Sequence, residues 1–302
     1  MMADTVLDEV PSLGSLYSQV LGRTVRNMMA RTSRATKLPN VTYRVEEAPV
    51  DAAHLADYQH LLGEPGVDAL PAGYVHVLGF PLAMAVMVRP DFPLPVMGMV
   101  HIANTVEQFH PLTLTDTLRI RAWAQDLRAH RSGTQVDLVV EVSAQEGPEI
   151  AWRGRSTYLA KGHEVPGLTL VETPKRDDGE QTVPQATAQW RLTPSIARRY
   201  AAVSGDRNPI HMSSLSAKLF GFPTSIAHGM YGASRALAAI GPARGDAFVW
   251  DVEFAKPVFL PSTVAVATTE RDSGVFDYVA WKRGSETKDL KKHFSGTVWP
   301  LP

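Results

Sequence analysis

The stretch YAAVSGDRNPIH, which begins at Tyr200, places Asp206, Asn208 and His211 within six residues. A carboxylate and an imidazole that meet can hold a water between them and move its proton. Asn208 can donate and accept at once, so it can orient such a pair. Pro209 disfavours helix for the residue before it, so the segment reads as a loop able to turn both side chains toward one point. The same residues also suit an Asx turn and a helix cap, which require no catalysis. A second stretch, SIAHGMYGASRAL from Ser225, opens an apolar helix on His228-Gly229. Gly229 has no side chain, so its N–H can come close to a ligand oxygen. At a helix start that N–H lacks an intrahelical partner and sits at the positive end of the dipole. Such a donor stabilises negative charge developing on a carbonyl oxygen. A glycine there equally serves close helix packing.

Asp206, His211 and His228 also supply one carboxylate and two imidazoles, the ligand set of a facial triad. No motif fixes the two histidines on one face, and the expectation is a site without metal. The sequence has no glycine-rich phosphate loop, nucleophile-elbow serine or paired metalloprotease histidines. It has no cysteine, which excludes thiolate catalysis, disulfides and cysteine-based zinc sites. Thirty basic and 31 acidic side chains leave a formal net charge of −1, so no overall field draws the protein to nucleic acid or an anionic membrane. No apolar run reaches the roughly 18 residues of a membrane span, and a cytoplasmic location is expected. With 302 residues, 44% hydrophobic and 20% charged, the chain reads as globular, with room for about two domains.

Those two domains are related. YQHLLGE at Tyr58 matches YAAVSGD at Tyr200, and GFP at Gly79 matches GFP at Gly221, both at an offset of 142. HPLTLTDTL at His110 resembles KPVFLPSTV at Lys256, at an offset of 146. Three matches in one order indicate a duplicated unit. Each unit reads as a short helix, a mixed segment, an apolar helix (LGFPLAMAVMV, then HGMYGASRALAAI) and four alternating strands. One apolar helix followed by four antiparallel strands implies a helix buried against a sheet, an α+β fold. Residues 162–189, rich in Pro, Gly, Thr and charge, read as the linker between residues 41–161 and 190–302.

Residues 1–40 stand apart. No acid occurs between Val10 and Val45, while Arg23, Arg26, Arg31, Arg34, Lys37 and Arg44 accumulate. Leu13, Leu16, Tyr17, Val20, Leu21, Val25 and Met28 follow three-four spacing. A basic amphipathic helix of this kind serves as a transit peptide, as a membrane-surface anchor, or as an arm packed on the protein's own body. Asp4, Asp8 and Glu9 ahead of it, and the lack of a cleavage signal, favour the arm.

YAAVSGDRNPIH followed by AKLFGFPTSIAHGM resembles the hydratase 2 motif of the MaoC-like, (R)-specific enoyl-CoA hydratases and 3-hydroxyacyl-thioester dehydratases. The resemblance implies a double hotdog, in which each repeat wraps an antiparallel sheet around a long helix. It implies reversible syn addition of water to a trans-2-enoyl thioester of CoA or acyl carrier protein, without a cofactor. By motif position Asp206 and His211 become the catalytic pair, Asn208 a supporting residue and Gly229 the oxyanion donor. His228 and Ser204 are expected to contact substrate. A non-catalytic thioester-binding subunit and a hotdog thioesterase remain alternatives, and either a monomer or a homodimer is compatible. The first half departs from the motif: at the ungapped offset Glu64, Gly66, Ala69 and Met87 stand for Asp206, Asn208, His211 and Gly229. That half is expected to shape an acyl-chain tunnel for medium to long chains, with Met84 and Met87 as adaptable lining.

Overall fold

The computed structural model describes residues 3–20, 35–147, 149–170, 184–285 and 290–301. The arm supplies β1 (Ala3–Val6) and helical residues 13–20, α1. The first repeat follows with β2 (Val41–Ala48), α2 (Ala52–Leu62), α3 (Ala72–Met87), β3 (Val100–Gln108), β4 (Leu118–His130), β5 (Gly133–Ala144) and β6 (Trp152–Lys161). The second has β7 (Ala188–Leu192), α4 (Pro194–Ser204), α5 (Pro209–Met212), α6 (Ser214–Lys218), α7 (Gly229–Ile240), β8 (Phe248–Phe254), β9 (Ser262–Asp272), β10 (Val275–Lys282) and β11 (Lys292–Pro300). The eight strands and two apolar helices expected from the repeat are all present. Among the described residues no helix is long and apolar enough to cross a membrane.

All strands among the described residues join one 11-stranded sheet in the order β1-β2-β4-β5-β6-β3-β8-β11-β10-β9-β7. Apart from β1 the order is palindromic by repeat, with the two halves joined antiparallel along β3 and β8. Thr105 stands opposite Asp251 there and donates to its carboxylate at 2.7 Å, across 146 residues of chain. That separation equals the offset between the two His/Lys-Pro segments. A residue facing its own repeat counterpart marks the local two-fold of the double fold.

Each sheet half is filled by its apolar helix. Along β4, Leu118, Ile120, Ala122 and Ala124 are buried, the period of two that turns one strand face inward. α3 packs on β4 and β5; it is apolar nearly all round, as suits a fully buried helix. α3 and α7 approach where Gly73 meets Tyr58 and Ser234, and a Cβ at Gly73 would collide with both. His54 of α2 bridges the repeats: Nε2 donates to the Val203 carbonyl of α4 at 2.6 Å, and Nδ1 accepts from Tyr74 at 3.1 Å.

The structure corrects the alignment of the repeats past their first helices. α2 and α4 both end on a left-handed glycine, Gly63 (φ 77°) and Gly205 (φ 70°), at the offset of 142. Beyond this the halves diverge in length. Ala69 bridges Thr113 as Ile226 bridges Phe259, and Leu70 N–H donates to Leu112 as Ala227 N–H does to Val258. Ala69 therefore corresponds to Ile226, not His211, and Ala72 at the start of α3 corresponds to Gly229, in place of Met87. The second half is longer in this segment and carries α5 and α6 there. The GFP triplets are not equivalent: one lies inside α3, the other in the loop ahead of α7.

Candidate active site

α4 stops at Gly205, whose left-handed backbone turns the chain sharply into Asp206. The Asp206 N–H donates to Ser204 Oγ at 3.2 Å. Asn208 caps α5, with its Oδ1 accepting from Ile210 N–H at 3.4 Å and Pro209 in the first helical position. So the cap anticipated as an alternative is present, and it forms the one-turn helix that carries His211. His211 is buried, with Nδ1 at 2.9 Å from the Ile226 carbonyl. A carbonyl only accepts, so Nδ1 carries the proton and Nε2 of the neutral ring keeps its lone pair. That Nε2 faces Asp206 Oδ2 across 4.0 Å. The gap is too long for a direct hydrogen bond, and a water about 2.8 Å from each atom fits it.

His228, at the N-cap of α7, donates from Nε2 to the Asp206 backbone carbonyl at 3.0 Å. Its ring stacks on His211 with centroids 3.7 Å apart. It fastens the Asp206 loop to the helix start. Burial pushes the His228 imidazole down to about 3, with His211 adding to the shift and Asp206 opposing it. Burial also lowers His211, against the opposing pull of Asp206 and the Ile226 carbonyl. Both rings are therefore neutral near pH 7. Burial pushes the Asp206 carboxyl up, but His228, His211, the Tyr17 hydroxyl and the Asn208 amide together hold it below its usual range. Two of these groups donate to the same oxygen, Oδ1: Tyr17 at 2.6 Å and Asn208 N–H at 3.1 Å.

Among the described residues no side chain caps α7, so its first N–H groups have neither an intrahelical nor a capping partner there. Gly229, first in that helix, lines the same cavity as Asp206, Asn208, His211, His228 and Ser204. A Cβ at Gly229 would stand 2.7 Å from the Phe254 ring. The cavity is about 520 Å³, within the usual range for small-molecule sites.

The first half does border this cavity, through residues other than those expected. Met84 and Met87 are buried in the core and do not line it. An α-helix apolar on every side leaves no periodicity to tell the cavity face from the sheet face, which is why the sequence misassigned them. His76 and Phe80 of α3, His101 of β3 and Tyr158 of β6 take that place. His101 stacks on Tyr158 at 4.6 Å and lies parallel to His76 at 6.1 Å. Burial lowers His76 to about 4 and His101 to about 3. Single histidines on apolar elements carry no motif, so nothing in the sequence singled them out. Glu64 points elsewhere, pairing with Arg244 at 3.6 Å; burial raises its carboxyl against that guanidinium.

Asp206, His211 and His228 form the one group of three His, Asp or Glu ligand atoms, within 4.8 Å of one another, found among the described residues. The His228 nitrogen nearest Asp206 is spent as a donor to a carbonyl. It offers no lone pair on that side, and two remaining ligands fall short of a facial triad.

A model of the MaoC like domain matches residues 178–289, which contain every motif residue above and none of the first half. The chain is 41% identical to 3-hydroxyacyl-thioester dehydratase X of Mycobacterium tuberculosis over 241 residues, 80% of this chain and 84% of that protein. The crystal structure of HtdX from M. tuberculosis superposes with a TM-score of 0.75 at 38% identity, covering 86% of this chain and 100% of that one. A conserved M. tuberculosis protein with a double hotdog fold superposes at 0.50 with 11% identity, covering 83% and 92%, a likeness of fold alone.

Proposed function

This chain belongs to the MaoC-like dehydratase family, and we propose from that premise that Asp206 and His211 hold and activate one water for addition to the double bond of a trans-2-enoyl thioester. The enzyme is a hydro-lyase that interconverts 3-hydroxyacyl and enoyl thioesters. One observation carries the assignment of its site. Bonding of His211 Nδ1 to the Ile226 carbonyl leaves Nε2 as an acceptor opposite Asp206 Oδ2, in a cavity shared with the start of α7.

The thioester carbonyl accepts from Gly229 N–H, which draws electron density off the double bond and makes C3 electrophilic. The water oxygen bonds to C3 while His211 Nε2 takes one of its protons. The π electrons move through C2 onto the carbonyl oxygen, giving an enolate that the Gly229 N–H stabilises. The Asp206 carboxylate accepts the remaining water proton in a hydrogen bond and stabilises the imidazolium. The imidazolium then returns its proton to C2 from the face the water came from, so addition is syn. The sequence resemblance implies that the water reaches the face of C3 that yields the (R)-3-hydroxyacyl thioester. Dehydration retraces these steps. No metal or redox cofactor takes part, because the proton moves between side chains already in place.

The acyl chain runs along the wall built by the first half, which Phe80 and the His76–His101–Tyr158 group supply, and medium to long chains fill it. Either CoA or acyl carrier protein serves as the carrier. A cytoplasmic monomer or homodimer completes the proposal; fractionation and sedimentation check those points. The chemistry is tested by the loss of enoyl-thioester absorbance over a series of acyl lengths and pH values. Hydration requires neutral His211 and ionised Asp206, and both groups are shifted downward. The rate is therefore expected to stay flat near neutrality and to fall as pH drops through an apparent pKa below the ordinary imidazole value of about 6.5. A rate that climbs as pH falls through 6 would overturn the roles given to the pair. Release of free thiol would point to thioesterase chemistry instead.

A further inference from the structure

Of the two donors on Asp206 Oδ1 among the described residues, one is the Asn208 backbone amide in the motif itself, and the other lies far outside it. The Tyr17 hydroxyl donates to Oδ1 at 2.6 Å across 189 residues of chain. We propose that Tyr17, delivered by the N-terminal arm, is a positioning residue of the active site, which holds the Asp206 carboxylate with Oδ2 rather than Oδ1 turned toward His211. The proposal rests on the assignment of Asp206 and His211 as the proton-transfer pair.

The arm is built to bring this hydroxyl to that place. β1 pairs in parallel with β2, from Ala3 opposite Val41 to Val6 opposite Arg44, and Leu7 N–H continues the pairing onto the Arg44 carbonyl. This anchors the start of the arm to the sheet edge. α1 then presents Leu13, Leu16, Tyr17 and Val20 on one face, the i, i+3, i+4, i+7 pattern. Leu16 and Val20 are buried in the main core. Leu13 rests on Gly205, where a Cβ would collide with its side chain. The arm therefore packs on the very residue that turns α4 into Asp206. Arg23, Arg26, Arg31 and Arg34, which make the arm basic, lie outside the described residues.

Tyr17 does not line the cavity, so it acts on substrate only through Asp206. A carboxylate with one oxygen fixed by two donors cannot rotate freely, and its second oxygen keeps one direction. The phenol remains a donor throughout, because burial and the adjacent Asp206 charge both raise it. Other groups among the described residues also face Asp206. His211 and His228 flank Oδ2. His76, His101 and Tyr158 look across from the first half, and Tyr200 lies behind on α4. None of these donates to Oδ1 at hydrogen-bond distance.

Tyr17→Phe tests this with the packing retained. Loss of one hydrogen bond to a charged group predicts about a tenfold or larger fall in kcat, with KM nearly unchanged. It also removes stabilisation of the carboxylate, so the acid limb of the pH–rate profile moves up by about one pH unit. A ¹³C titration of the labelled Asp206 carboxyl should move in the same direction, and this readout does not depend on turnover. Leu16→Ala on the same helix is the control: it lowers Tm but leaves the pH limb in place. Unchanged kcat, pH limb and carboxyl titration in Tyr17→Phe overturn the proposal. If Asp206→Asn and His211→Ala were themselves fully active, the assignment of the pair would fall instead, and the two failures are thus distinguishable.

Discussion

Asp206→Asn and His211→Ala are each expected to lower kcat by about a hundredfold or more, the scale of general acid–base catalysis. The double variant is expected to be little worse than either single one, because groups that act as a unit do not contribute additively. His211→Ala removes the nitrogen lone pair that takes the water proton. Asp206→Asn keeps an oxygen able to accept from Tyr17 and Asn208, but removes the charge that stabilises the imidazolium beside it. Since His211 is buried and bonded to the Ile226 carbonyl, its removal also carries a structural cost. Melting temperature must be measured alongside kcat, and the Asp206→Asn arm, in which the volume hardly changes, decides. Near-normal turnover in that variant would remove Asp206 from the mechanism.

Substitution at Gly229 is expected to have an effect of similar size. Loss of a single oxyanion donor typically costs about 10²–10³ in kcat. A Cβ at this position would lie 2.7 Å to 3.1 Å from atoms of the Phe254 ring, so even Gly229→Ala forces a local shift. Two causes of inactivity are therefore possible: a displaced ring, or a methyl group between the N–H and the thioester oxygen. Pairing Gly229→Ala with Phe254→Leu separates them. Relief of the collision should recover Tm. If the N–H is the oxyanion donor, kcat should stay low in the pair. Recovery of both together would show that glycine is needed here for packing alone.

The candidate site was legible in the sequence because its parts are local. Asp206, Asn208 and His211 share one short segment, and a proline, a cap and a left-handed glycine fix its shape with little help from afar. The strands were legible through their alternation, and the duplication through two short matches, YQHLLGE with YAAVSGD and HPLTLTDTL with KPVFLPSTV. Errors entered where periodicity carries no direction. α3 is apolar on all sides, so its pattern could not say whether Met84 and Met87 face the cavity or the sheet. The GFP triplets matched by type while lying in a helix and in a loop. The greater length of the second half, which brings α5 and α6, was hidden behind that match, and so was the equivalence of Ala72 with Gly229. What could not be read at all was long-range contact. The spacing of Leu13, Leu16, Tyr17 and Val20 marks an amphipathic arm, but nothing in it names Asp206 as the partner of Tyr17. His76 and His101 are likewise brought to the cavity only by the closure of the sheet along β3 and β8.

The most direct test of the central claim is the identity of the product formed from trans-2-decenoyl-CoA, resolved by chiral chromatography. The account predicts a single product, the (R)-3-hydroxy thioester with its thioester bond intact, formed by the native chain and lost in Asp206→Asn. An (S) product, release of free CoA thiol, or unchanged substrate would contradict it.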